Sequence, residues 1–194
     1  MKKLAWFSTV LLVFLLIGCS SNSPEEVQGL GKEEAAQIAA AAVRQYYQLD
    51  VDTTGRQITL EDPAKLVDAA TGDSIYRGVP VHAVLKREPV NGDVQGFHAI
   101  IEPKSKQILS LSIDVIGMNG EKATKTMTEA ELEKTASDFI RSKNLLATND
   151  FQLVKSSDAH STDTKRYFYY TDGQNDVAIG VDPTLHKVVT FTYD

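Results

Sequence analysis

An α+β fold, built as a tandem repeat of one helix packed on an antiparallel meander of about four strands, is what the sequence predicts. Three observations predict it. Residues 99–114 align without a gap onto residues 179–194 at a constant offset of 80: Glu102-Pro103 lies over Asp182-Pro183, Ser110 and Ser112 over Thr190 and Thr192, and Asp114 over Asp194. Residues 31–44 lie over 128–141 at an offset of 97, matching Glu34 to Glu131, Ala39 to Ala136 and Arg44 to Arg141. Between these segments, apolar and polar residues alternate with the period of strands that have one wet face. Self-similarity at a fixed spacing is the mark of a duplicated unit. The offsets differ by 17, so the first copy carries about that many extra residues between its helix and its last hairpin.

In chain order, Lys2 and Lys3 form a positive start, Leu4 to Ile17 form an apolar segment, and Gly18 stands directly before Cys19, the single cysteine among 194 residues. A bilayer-crossing helix needs about 20 apolar residues, and Leu4 to Gly18 supplies 15. A permanent transmembrane anchor is therefore disfavoured. The pattern resembles the lipobox of bacterial lipoproteins, which implies that residues 1–18 are a signal peptide and that Cys19 carries lipid, palmitate included. The resemblance places the protein on the extracytoplasmic side, held to the membrane through Cys19. An exported chain with one cysteine has no internal disulfide, so its core must suffice. Residues 19–29 are polar, broken by Pro24 and Gly29, and read as a flexible tether that buries almost nothing.

The first unit is expected over 30–116. Its helix runs from Gly31, with Ile38, Ala39, Ala42, Val43 and Tyr46 on one face. A long insertion from Asp50 to Gly78 follows, then strands at 79–88 and 96–102, the first leading into an Asn91-Gly92 turn signal. Leu109, Leu111, Ile113 and Val115 form the apolar face of the closing strand. A linker at 117–126 leads to the second unit, 127–194. There Thr128 and Glu131 form a capping box with Met127 and Leu132 as staple, and Leu132, Ala136, Phe139 and Ile140 make the buried stripe. Strands are expected at 151–155, 166–171, 177–182 and 189–193. With its own cap, helix and closing strand, residues 127–194 are expected to fold alone.

This order, with its acid-Pro turns and hydroxyl-alternating closing strands, resembles the PepSY domain, a small α+β module of cystatin-like shape. That family occurs in propeptides of thermolysin-type proteases, in spore germination proteins and in many bacterial lipoproteins. The resemblance covers roughly 30–116 and 127–194. Where family members often carry a Thr-Gly pair in the last turn, this chain has Lys104-Ser105-Lys106 and Thr184-Leu185-His186.

Removing Lys2 and Lys3 leaves 18 basic against 26 acidic residues, a charge of about −8, which disfavours nucleic acid as partner. His82, His98, His160 and His186 show no metal-ligand spacing, no serine sits in a Gly-x-Ser-x-Gly elbow, and no Gly-rich phosphate loop exists. No cofactor is expected. Glu33-Glu34 and Glu129-Glu131 lie in first helical turns, where the helix dipole accounts for them. Asp172 to Asp176 has oxygen ligands in the manner of a calcium loop but reads better as a hairpin turn. Tyr167, Phe168, Tyr169 and Tyr170 are the densest aromatic cluster and the candidate partner-binding residues. In a strand one alternate pair must be core and the other can be an exposed binding surface.

Two functional classes follow. The preferred one is a lipid-anchored, non-enzymatic binding or regulatory module of the cell envelope, whose protein partner the sequence does not identify. The family resemblance adds control of a protease or of a wall-acting enzyme. The alternative is an envelope hydrolase using Glu61, Asp62 or Asp93. A transporter-feeding binding protein is disfavoured, because no α/β alternation is present.

Overall fold

The computed structural model describes residues 24–85, 94–115, 127–157 and 165–193. The expected signal peptide, Cys19, the 117–126 linker and Asp93 lie outside them. Among the described residues, no helix is long and apolar enough to cross a membrane.

The fold is α+β, with two helices on a large antiparallel sheet. A two-residue ribbon, β1 (Glu26–Val27) with β2 (Leu30–Gly31), precedes α1 (Lys32–Tyr47). No side chain caps α1, but Glu33 and Glu34 in its first turn complement its dipole. Its buried face is Ala35, Ala36, Ala39, Ala42 and Val43, and such small side chains let the helix lie close to the sheet. The second helix, α2 (Glu129–Lys143), starts with the capping box: Thr128 Oγ1 accepts the Glu131 N–H at 3.3 Å, and the Thr128 N–H donates to the Glu131 carboxylate at 2.8 Å. Both helices end on left-handed residues, Gln48 (φ 60°) and Asn144 (φ 50°).

Eight strands follow the helices in two runs. After α1 come β3 (Gln57–Leu60), β4 (Val79–Val84), β5 (Val94–Ile101) and β6 (Ile108–Val115). After α2 come β7 (Gln152–Ser156), β8 (Arg166–Thr171), β9 (Asp176–Asp182) and β10 (Lys187–Tyr193). All eight join one sheet in the order β3-β4-β5-β6-β10-β9-β8-β7. At its centre Leu111 stands opposite Phe191, flanked by Ser112 opposite Thr190 and Ser110 opposite Thr192. Both helices lie on the face to which Phe191 points, since its ring meets Tyr46 of α1 at 4.6 Å and Phe139 of α2 at 6.3 Å. Phe97, Leu111, Phe168, Ile179 and Phe191 are fully buried beneath the helices.

The structure corrects the sequence reading at three points. Residues 19–29 do not all form a tether, because Val27 is buried beside Leu30 and the Lys32 N–H donates to the Glu25 carbonyl at 2.8 Å. The stretch from Asp50 to Gly78 contains an edge strand of the sheet, β3, whose four residues are too few to stand out by periodicity among the surrounding Asp, Thr and Gly. Leu109 does not share the core face with Leu111: Ile101 pairs with Ile108 and Ile100 with Ser110, so Leu109 is bulged out and Ile108 takes the buried place. Val189 is the residue skipped between Val188 and Thr190, 80 residues later, but there both Val188 and Val189 stay buried. Residues 127–194 join the sheet of the first half, because β10 pairs with β6 and the buried cluster runs through both halves.

The acid-Pro turns are built alike. Asp182 Oδ1 accepts the N–H groups of Thr184 and Leu185 at 2.8 and 3.0 Å, and the Glu102 carboxylate accepts the Ser105 N–H. Each turn then needs one left-handed residue, Lys106 (φ 61°) and His186 (φ 54°).

Candidate functional site: the open face of the sheet

Strand side chains alternate, so the residues opposite the helix-covered set form a second face. One row of cross-strand neighbours runs from Thr59 through His82 and His98 to Ser112, and on through Thr190 and Gly180 to Tyr167. The adjacent row runs from Pro80 and Ile100 through Ser110 and Thr192 to Ala178, Tyr169 and Lys155. This face therefore has a histidine end, a hydroxyl centre and a tyrosine end.

The centre is structural. Ser110 Oγ and Thr192 Oγ1 are 2.7 Å apart, Thr190 Oγ1 donates to Ser112 Oγ at 2.6 Å, and the Lys165 ammonium donates to Ser112 Oγ at 3.3 Å. Ser110 and Thr190 are buried, so these bonds satisfy hydroxyls that would otherwise be costly to desolvate. The hydroxyl alternation visible in the sequence thus seals the β6–β10 junction.

The tyrosine end splits the four aromatics. Phe168 and Tyr170 point to α2 and are 1% and 3% exposed. The Tyr170 ring meets Phe151 edge-on at 5.5 Å and its hydroxyl donates to the Glu133 carbonyl at 3.2 Å. Burial pushes the Tyr170 phenol well above its ordinary pKa. Phe168 and Tyr170 are therefore core, with Tyr170 also lining the depression beside Tyr167 and Tyr169. Tyr167 and Tyr169 lie half-buried on the open face. Gly180 stands opposite Tyr167, and a Cβ there would come within 3.0 Å of Tyr167 Cε1 and 3.1 Å of Thr190 Cβ. The missing side chain gives the ring its place over the strand. The Lys155 ammonium sits 4.5 Å from the Tyr169 ring centroid, within cation–π range. Together with Val154, Asp176 and Thr192 these groups line an open depression of about 450 Å³. It offers aromatic faces, one cation, one carboxylate, and phenol and threonine hydroxyls.

At the other end, His82 and His98 are direct cross-strand partners with ring centroids 6.2 Å apart, edge to face. His82 is exposed and His98 half-buried. Burial, then the neighbouring His82, lower the His98 pKa, while the charges of Glu61 and Asp114 act the other way. Spacing along the chain does not show this pair, because it depends on hairpin register. The Asn91-Gly92 turn signal lies outside the described residues. Among the described residues, no group of three or more His, Cys, Asp and Glu side chains could hold a metal ion. His186 occupies a turn, and His160 lies outside the described residues.

Among the described residues, the acids singled out in the sequence are engaged in separate local bonds. Asp62 caps a short turn, accepting the Ala64 N–H at 3.0 Å, and Glu61 follows β3 with its N–H on the Pro80 carbonyl. Glu129 pairs with Arg166 at 2.7 Å and Glu34 with Lys106 at 3.2 Å. In the Asp172 loop, Oδ1 accepts the Gln174 and Asn175 N–H groups at 2.9 and 2.8 Å, and Oδ2 accepts that of Ala147 at 2.9 Å. These bonds hold the Asp172 carboxyl below its ordinary pKa, the Asn175 N–H foremost. A depressed folded-state pKa adds stability above the unfolded value, and that stability is lost as pH falls through the folded value. Asp172→Ala is therefore expected to lower the melting temperature at neutral pH and to leave less acid-side decline. Melts across pH 7 to 2 check this, and parallel acid limbs would contradict it.

No known protein family's sequence model matches the chain. No curated protein matches it. A crystal structure of a protein with unknown function from Clostridium leptum is similar, with a TM-score of 0.42 and 13% identity over 85% of this chain and 88% of that one.

Proposed function

We propose that the chain is a lipid-anchored binding or regulatory module of the cell envelope, made of two PepSY-like helix-and-meander units whose closing strands join. The observation that carries the binding role is the placement of Tyr167 and Tyr169. Of four consecutive aromatics, Phe168 and Tyr170 are buried in the core, while these two are the partly exposed ones in a depression to whose lining Tyr170 also contributes. Rigid aromatic groups beside a polar rim supply the anchors from which interfaces draw most of their energy. The duplication is supported by the paired bulges at Leu109 and Val189, the paired left-handed residues Lys106 and His186, and a central pairing symmetric about Leu111 and Phe191. The lipobox-like segment ending at Cys19 supports the anchor. The hydrolase reading has less support, since among the described residues Asp62 is engaged in a turn and Asp93 lies outside them.

One experiment with two arms tests this reading. Wild-type chain expressed in a lipidating bacterium is expected in the membrane fraction at the processed size, and Cys19→Ala in the soluble fraction or as precursor. A mature-size Cys19→Ala protein in membranes would overturn the anchor. When detergent extracts are captured on the wild-type chain, the co-purifying envelope protein is expected to be lost with Tyr167→Ser/Tyr169→Ser. Undiminished capture by that variant would overturn the binding role of the tyrosines.

A further inference from the structure

The histidine end of the open face is unused by the proposed partner surface, which lies at the opposite end of the sheet. We propose that His82 and His98 form a two-imidazole site for a borderline transition-metal ion of the Cu²⁺, Ni²⁺ or Zn²⁺ type.

The geometry supplies the reason. The two residues are direct partners in the β4–β5 ladder, and such pairs place their Cβ atoms about 4.5–5.5 Å apart on one face. With metal–nitrogen bonds of about 2.0–2.1 Å, a bridging ion puts two imidazole centroids roughly 5 to 6.4 Å apart, depending on the angle at the metal. The centroids stand 6.2 Å apart, within that range. Side-chain rotation alone can aim both rings at one ion, with no change in backbone register.

The surroundings agree with a cation. The Asp114 carboxylate lies over Gly96, with Oδ2 3.3 Å from where a Cβ would be, and Gly96 is two residues from His98. Glu61 lies beyond the neighbouring strand end, bonded to Pro80, two residues from His82. Both acids contribute negative potential at His98. They are too far away to complete a group of three ligands among the described residues. Solvent would fill the remaining positions, so the donor set is two neutral nitrogens plus water. That set favours Cu²⁺ above Ni²⁺ and Zn²⁺ and gives hard ions such as Ca²⁺ and Mg²⁺ no advantage. The ion would clamp β4 to β5 and stabilise the first half of the sheet, because unfolding separates the two imidazoles.

The test is isothermal titration of Cu²⁺ and of Zn²⁺ into the untagged full chain in detergent, with melting temperature read in parallel. One ion per chain is expected, with a rise in melting temperature and no displacement by excess Ca²⁺. His82→Ala and His98→Ala should each weaken binding about a hundredfold, because each leaves a single imidazole without its intramolecular partner. The double variant should lose the site altogether. Since His98 is half-buried, His98→Gln serves as a second variant that keeps side-chain volume, and it should lose binding equally. His160→Ala and His186→Ala should bind as wild type. Binding that survives in His82→Ala, that is lost equally in His186→Ala, that Ca²⁺ displaces, or that joins two chains per ion would overturn the site.

Discussion

Phe168→Ala is expected to destabilise the protein by about 3–5 kcal/mol, the range for removing a buried aromatic ring. The side chain is 1% exposed, sits opposite Ile179 and points under α2. Its neighbours are held by β-ladder bonds on both sides, so the cavity cannot collapse by a local backbone shift. The adjacent pair behaves differently. Tyr167→Ser and Tyr169→Ser together are expected to cost about 1–2 kcal/mol, because both residues are partly exposed and line an open depression, so the change leaves no enclosed void. Denaturant melts of the two variants decide the matter. Equal losses would contradict the division of the four aromatics into core and surface.

Phe191→Ala is expected to cost a similar 3–5 kcal/mol and to act on both halves at once. Its ring touches Tyr46 of α1, Phe139 of α2 and Tyr193, and its backbone faces Leu111 across the β6–β10 junction. A loss there weakens the packing of both helices. Calorimetry should therefore give one transition for the wild type and one for the variant, roughly 10 °C lower. Two resolved transitions in either protein would contradict a shared core.

Much of this arrangement was legible in the residues. The capping box at Thr128 and Glu131 follows from local chemistry, and the structure contains it. The alternation of Ser110, Ser112, Thr190 and Thr192 reads as strand with a polar face, as observed. What it could not disclose is that the polar faces meet, because pairing between distant strands leaves no local pattern. The four-residue strand β3 escaped for a different reason: at an edge it needs only one apolar row, here Ile58 and Leu60, and that is too short to show a period. Bulges at Leu109 and Val189 shifted the burial of Ile108 and Val188, since one extra residue exchanges the faces of all that precede it. The candidate site was half legible. Alternation required that one aromatic pair face outward, but only the position of α2 tells which. The His82–His98 pair was not legible, because a shift of a single residue in the hairpin would separate the rings to opposite faces.

The central claim is that Tyr167 and Tyr169 form a partner-binding surface. Its most direct test places a photo-crosslinking amino acid at position 169 of the full-length chain in living cells, with exposed position 50 as control. The account predicts a discrete adduct with one envelope protein from position 169 and none from position 50. No adduct from position 169, or the same adduct from both positions, would contradict it.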